Sequence, residues 1–282
     1  MKRQICAAIS IFCVGILLCN GITVQATEAA AAQTETEECL LQTETEDAVS
    51  QIETVPLEEL AVEIGQWAKE EISEFWQELS QEEPWSSLEK LEIIASFQTS
   101  ATSDSNRDQN LKLACEAING IVVEPGEEFS FNEATGRRTT EKGYLPATAY
   151  VNGAAVQAPG GGVCQVSTTL YNAVVSAGLD STERSAHTYA AKYVDPGADA
   201  AVSYGGPDFC FVNNSEYPVK ILASAENADV SVSLLGVPLL EEGEELRMES
   251  VCVSGNTWVT YLVRYQDGEE VERSKFHNSH YS

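Results

Sequence analysis

Pro159-Gly160-Gly161-Gly162-Val163-Cys164-Gln165-Val166-Ser167-Thr168-Thr169-Leu170 reads as a turn that delivers a cysteine to the first turn of a helix. Glycines let the backbone take positive φ and approach a ligand closely. Beyond them, Val166, Leu170, Ala173, Val174 and Ala177 fall on one face at helical spacing, and Gly178 supplies the stop. The N–H groups and the dipole at a helix start favour an anion, which lowers a thiol's pKa and can hold an oxyanion. His187, one of 3 histidines in the chain, follows within the same compact segment, so a thiol and a base lie close in sequence. The same spacing also suits a buried or disulfide-bonded cysteine beside a tight turn.

Working outward, Leu111 to Ile118 reads as a helix stopped by Asn119-Gly120, and Ile121 to Val123 as a strand running to Pro125-Gly126. After Phe209 the chain alternates in short apolar runs, including Val219 to Ala223 and Val230 to Leu235. Trp258 to Tyr265 and Val271 to Phe276, joined through Gln266-Asp267-Gly268, predict a β-hairpin. The expected fold class is α+β: one mixed domain of a catalytic type over 93–225, with a small β appendage over 226–282. The closing run with His277 and His280 reads as an unanchored tail.

The N-terminal third differs in kind. Lys2 and Arg3 precede an apolar stretch from Ile5 to Leu18, and Val24-Gln25-Ala26 offers a cleavage site, so 1–26 reads as a secretory signal peptide. Leu18 is too bulky for the small-residue site that lipidation at Cys19 would need. If uncleaved, the apolar stretch could anchor the chain, the one membrane contact expected. Residues 27–56 repeat Gln-Thr-Glu-Thr-Glu and predict a disordered acidic spacer; 57–92 carries Leu60, Ile64, Trp67, Ile72, Phe75, Trp76 and Leu79 near helical period, an amphipathic helical segment. A protein with this leader is expected to be secreted or held at the cell envelope.

The formal charge of −28 is concentrated in that tail: Thr27 to Glu92 holds 19 acids against 2 lysines, whereas Ser130 to Ser215 holds 7 acids and 5 bases. This profile speaks against nucleic acid as a partner. Without the leader's cysteines, Cys39, Cys115, Cys164, Cys210 and Cys252 remain. That number is odd, so an exported chain keeps at least one thiol free, intermolecular or catalytic. Glycine-flanked Cys164 is the candidate for a working thiol and Cys39 for a spare. No Cys-x-x-Cys or clustered Cys/His spacing points to a metal, and Gly160 to Gly162 lacks the downstream Lys-Ser/Thr of a phosphate loop, so no metal or cofactor is expected.

A run of motifs in order then carries a family resemblance: Asn106-Arg107 with Asn110, Pro125 through Asn132, Thr135-Gly136-Arg137, Lys142-Gly143-Tyr144, Gly160 to Leu170, Glu183-Arg184 with His187, Pro196-Gly197 with Asp199-Ala200, and Asp208 with Asn213-Asn214. In these residues the chain resembles the VanW family, named for a component of glycopeptide-resistance clusters in Gram-positive bacteria. The resemblance covers none of the first 90 residues and the last 50 only loosely, through the Asp267-Gly268 hairpin and the Ser279-x-Tyr281 ending. It implies a cell-envelope role, and some members look like L,D-transpeptidases that use the glycine-flanked cysteine on peptidoglycan stem peptides.

In that chemistry Cys164 is the nucleophile and His187 the base, with Asp199 and Asp208 as the two candidates for orienting the imidazole. Arg137 and Arg184 are candidates for gripping a stem carboxylate, and Ser167 and Thr168 for donating to substrate or capping the helix. Tyr144 is a candidate wall of the cleft. Gly161, Gly162 and Gln165, next to the thiol, complete the expected substrate-binding set. Two other functions remain open: a non-catalytic module that binds peptidoglycan or a glycopeptide, with Cys164 bridged to Cys210 or Cys115, and an envelope cysteine peptidase using water as acceptor.

Overall fold

A computed structural model describes residues 91–151 and 154–282. The expected signal peptide, acidic spacer and amphipathic helical segment lie outside the described residues, apart from the segment's last two positions. The described chain is mixed, with few helices and many strands, mostly antiparallel sheet.

Strand β1 (Glu92–Ser100) is followed by helix α1 (Ser105–Ile118), β2 (Val122–Val123), β3 (Glu128–Ser130) and the short helix α2 (Phe131–Thr135). The hairpin β4 (Pro146–Val151) and β5 (Ala154–Pro159) leads into α3 (Cys164–Ser176), β6 (Asp180–Glu183) and β7 (Cys210–Val212). Then come β8 (Val219–Glu226), β9 (Asp229–Gly236), β10 (Glu244–Ser254), β11 (Thr257–Gln266) and β12 (Glu269–His280). The strands form a four-stranded sheet in the order β1-β9-β8-β2, a three-stranded sheet β3-β7-β6, the hairpin β4-β5, and a three-stranded meander β10-β11-β12.

Helix α1 begins earlier than its apolar spacing indicates because Asp104 caps it, its carboxylate accepting from the amides of Asn106 at 2.9 Å and Arg107 at 3.2 Å. Helix α3 is enclosed between the four-stranded sheet, β6, β10 and the segment 198–202, so every residue from Gln165 to Val175 is buried and not one stripe alone. Its buried polar groups therefore need partners inside the protein. Ser167, Thr168 and Asn172 find them on the backbone of residues 198–200.

The main-domain boundary expected at 225/226 falls within β8. Strands β8 and β9 pair from Lys220↔Leu235 to Glu226↔Asp229 through the turn Asn227-Ala228, both at positive φ (50° and 64°). Strand β9 also pairs with β1, so it is interior to the principal sheet. The expected β appendage is larger than a hairpin: β10 adds a third strand, and Leu262 and Met248 pack against the main core. The expected β11–β12 hairpin is present, turning at Asp267-Gly268 with φ of 51° and 83°, the geometry favoured by Asp-Gly. His277 and His280 lie in β12, paired to Thr260 and Thr257, where a tail was expected.

Candidate active site

The three glycines serve two different needs. Gly160 and Gly162 hold φ of 82° and 101°, where a side chain is strained; at Gly161 the demand is space, since a Cβ there would lie 2.3 Å from the carbonyl oxygen of Ala147 in β4. The loop is thus pressed against β4 and turns sharply to place Cys164 as the first residue of α3. Few amides of that first turn remain for an anion: Gln165 N donates to Gly162 O at 2.9 Å, and Val166 and Ser167 both donate to Val163 O.

Cys164 Sγ touches the backbone of Val202, donating to its carbonyl at 3.3 Å and accepting from its amide at 3.4 Å. It is also hydrogen-bonded to the His187 side chain. Nδ1 of His187 lies 2.6 Å from Asp199 Oδ2, and the His187 amide donates to that same oxygen at 2.7 Å. With Nδ1 committed to Asp199, Nε2 is the nitrogen left to meet the sulfur. Cys164, His187 and Asp199 therefore form a continuous thiol–imidazole–carboxylate chain.

Its electrostatics favour charge separation. Burial pushes the Cys164 thiol up, but the His187 hydrogen bond and charge, the Val202 amide and the Arg138 guanidinium outweigh it, leaving the pKa below the ordinary thiol value. Burial pushes His187 down, while Asp199 and the sulfur carry it up to about 9. Burial raises Asp199, and His187, Arg184 and Tyr281 bring it down to about 2. Both shifts run towards charge separation, the thiol's towards thiolate and the imidazole's towards imidazolium, beside a carboxylate with no exposed surface.

The carboxylate is held from three directions. Arg184 donates Nη2 to Asp199 Oδ1 at 2.8 Å and Nε to the Asp199 carbonyl at 2.5 Å. Thr168 Oγ1 accepts from Ala200 N at 3.0 Å, Ser167 Oγ donates to Ala200 O at 2.7 Å, and Asn172 Nδ2 donates to Ala198 O at 2.8 Å. These three bonds fasten residues 198–200 along α3, which fixes Asp199 relative to Cys164. Tyr281 provides the third support, from the C-terminal end.

Residues 106–235 match the family model described as VanW like protein. Over 133 residues the chain is 45% identical to an uncharacterized protein, YoaR, of Bacillus subtilis, covering 47% of this chain and 44% of that one. Over 131 residues it is 28% identical to the vancomycin B-type resistance protein VanW of Enterococcus faecalis, covering 44% and 47% respectively. Residues 106–235 are a VanW-family domain. The chain spans about half the length of the curated relatives it matches. No solved structure matches it.

Of the residues singled out in sequence, the VanW-family domain brings Cys164, His187 and Asp199 together and leaves the other carboxylate candidate elsewhere. Asp208 accepts from Ser130 Oγ at 2.6 Å and Asn132 N at 2.9 Å, joining β3 and α2 to the start of β7; its carboxylate is committed to capping. Arg184, a candidate for the substrate, is engaged with Asp199 and the Gly197 carbonyl. Gln165 is fully buried, its amide donating to Thr99 O at 3.2 Å and Ala228 O at 2.9 Å and accepting from Arg107 Nη2 at 2.7 Å. Ser167 and Thr168 are likewise buried and occupied with residue 200, and Gly161 faces β4. Gly162 lies under Arg107, whose Cγ a Cβ there would meet at 2.8 Å. Tyr144, the candidate cleft wall, is buried in the core beside Gly160.

Arg137 is exposed, and its neighbour Arg138 is the one that turns inward. Arg138 packs on Gly160, lies over the Phe131 ring with Cζ 5.7 Å from the centroid, and donates Nη1 to Asn132 Oδ1 at 2.7 Å. Its Nη2 is buried without a protein acceptor, and its charge acts on Cys164. Sequence reasoning missed Arg138 because nothing in two consecutive arginines says which enters the site. It also missed Tyr193, which hydrogen-bonds Thr168 and whose own pKa is raised by burial and then by the nearby Cys164, and it gave Tyr281, noted only in the Ser279-x-Tyr281 ending, no role in the site. Cys115, Cys164, Cys210 and Cys252 are all free thiols in this structure. Among the described residues no group of three or more His, Cys, Asp or Glu could hold a metal, and no helix is long and apolar enough to cross a membrane.

Proposed function

We propose that this protein is a cysteine acyltransferase acting on peptidoglycan stem peptides at the cell envelope, of the L,D-transpeptidase type. The observation that carries the reading is the bonded chain Cys164–His187–Asp199, with the thiol's pKa lowered and the imidazole's raised. A structural cysteine needs no such partner; a nucleophile does. The relative named for vancomycin B-type resistance agrees with a cell-wall setting, as does the signal peptide expected from the sequence of residues 1–26.

In the first half-reaction the Cys164 thiolate attacks the carbonyl between the third stem residue and the terminal D-Ala, forming a C–S bond. The C–N bond breaks as the His187 imidazolium gives its proton to the leaving amine, and D-Ala departs from a thioester. In the second, a side-chain amine of a neighbouring stem attacks the thioester and forms the cross-linking amide. The C–S bond breaks, and the amine's proton returns to His187. Asp199 keeps Nδ1 protonated and offsets the imidazolium charge throughout. Arg138, inward-facing beside the thiol with an uncommitted Nη2, is the guanidinium suited to a stem carboxylate.

The test incubates the purified protein with tetrapeptide-bearing muropeptides and follows D-Ala release and dimer formation by mass spectrometry. Cross-links dependent on Cys164 are expected, with a thioester on Cys164 trapped at short times. Hydrolysed monomers without dimers would replace transfer by peptidase action, and binding with unchanged substrate would replace it by recognition.

A further inference from the structure

The site is completed from beyond the matched domain. The family match ends at residue 235, yet Tyr281, just after β12, donates its hydroxyl to Asp199 Oδ1 at 2.6 Å and accepts from the Gly197 amide at 2.6 Å. Ser279 Oγ accepts from Arg184 Nη1 at 2.8 Å, bracing the guanidinium that also reaches Oδ1. The amide of Ser282 donates to the carbonyl of Thr188 at 2.7 Å, pinning the residue next to His187. His277, also on β12, bonds the Tyr171 hydroxyl at 2.8 Å beneath Arg184.

The consequence is geometric. Oδ2 of Asp199 receives two donors from His187, and Oδ1 receives one from Arg184 and one from Tyr281. Four donors in fixed directions leave the carboxylate no freedom to rotate, and the plane of the imidazole follows the plane of the carboxylate. Arg184 alone would hold Oδ1 from one side; Tyr281 opposes it, and its own hydroxyl is fixed by Gly197. Gly197 sits at φ 97° with Thr260 Oγ1 and Ser250 Oγ closing around its Cα, so the C-terminal sheet shapes this turn as well.

We infer that Tyr281 is a positioning residue for the His187–Asp199 pair, and that the C-terminal sheet β10–β12 is a working part of the site. The inference rests on the proposed use of Cys164 as a nucleophile. The titratable and charged groups around the pair are Arg184, Cys164, Tyr171, Tyr193, His277 and Tyr281, and only Tyr281 is altered in the principal test.

That test measures the rate of iodoacetamide labelling of Cys164 against pH in the full chain, resolved by peptide mass spectrometry so that exposed Cys252 serves as an internal control. Thermal unfolding is recorded alongside. Wild type is expected to titrate below the ordinary thiol value of about 8.5. Tyr281→Phe, which keeps the ring, is expected to move the midpoint up by about half a unit or more, a roughly threefold loss of thiolate on the acid side. Ser279→Ala is expected to move it in the same direction by less, and it carries the test if Tyr281→Phe does not fold. Cys252 should label identically in all three proteins. A lowered melting temperature with an unmoved Cys164 profile would make Tyr281 a packing residue and overturn the inference. A wild-type midpoint at or above about 8.5 overturns the nucleophile reading itself, and with it any pair to position.

Discussion

His187 donates to one oxygen of Asp199 twice, from its backbone amide at 2.7 Å and from Nδ1 at 2.6 Å. A ring held at both its root and its edge has one orientation, with the second nitrogen facing the sulfur. This makes Asp199 the residue on which tautomer and direction both depend.

Asp199→Asn should therefore lower acyl transfer by roughly 10²- to 10⁴-fold, because an amide no longer holds Nδ1 protonated and balances no imidazolium charge. It also leaves the Arg184 guanidinium, whose side chain is 8% exposed, without its anion, at a stability loss of roughly 3 kcal/mol. Kinetics and urea unfolding on the same preparation check both. Activity near wild type would transfer the orienting role away from Asp199.

Stability against pH should show the same groups. Asp199 is brought down to about 2, against about 3.9 when unfolded, so its contribution is complete above about pH 4 and is lost as pH falls through 2. The loss is roughly 2 kcal/mol and should be largely absent in Asp199→Asn. His187 at about 9 stabilises fully below its unfolded value of about 6.5 and loses that as pH rises through 9. Cys164, lowered, contributes in the opposite sense, its stabilisation fully present above about 8.5 and fading as pH falls through its folded value. The His187 and Cys164 contributions therefore run in opposite directions with pH and offset one another in the neutral to mildly alkaline range. Urea midpoints across pH 2.5 to 9.5 measure this; an acid limb equal in wild type and Asp199→Asn contradicts it.

Gly161→Ala should destabilise the protein by roughly 2 kcal/mol or more and displace Cys164, because the new methyl would meet the Ala147 carbonyl at 2.3 Å against paired strand backbone. Thermal unfolding and the labelling rate of Cys164 report the two effects. An unchanged melting temperature would mean that β4 yields freely.

Arg138→Gln should raise the Cys164 pKa, since one positive charge acting on the thiolate is removed. It should also cut kcat/KM about tenfold or more for stems with a free carboxylate, and less for the same stems ending in a carboxamide. Equal losses on both would confine Arg138 to the thiol's electrostatics.

Much of the site was legible because its chemistry is local. Glycines at 160 and 162 need positive φ, and a helix start after them fixes where Cys164 points, whatever the rest of the chain does. The β11–β12 hairpin was legible for a similar reason, through Asp267-Gly268 and the alternation on either side. The end of β12 was not: His277 to His280 is a polar run read as a tail, and its pairing with Thr257 to Thr260 is decided by β11 and not by its own residues.

The sequence by itself determined the glycine turn, the cysteine at a helix start, the family of residues 106–235 and the α+β class. Tertiary structure decided which partners those residues have. Asp199 and Asp208 are alike in spacing arguments, and they separate only because α3 binds residues 198–200 through Ser167, Thr168 and Asn172 while Asp208 caps α2. Arg138 enters and Arg137 does not because the chain after Gly136 turns one side chain towards Gly160. Tyr281 reaches Asp199 across 82 residues of sequence. Local periodicity carries torsion preferences and burial, whereas the direction of a side chain towards a distant partner exists only once the sheets have packed.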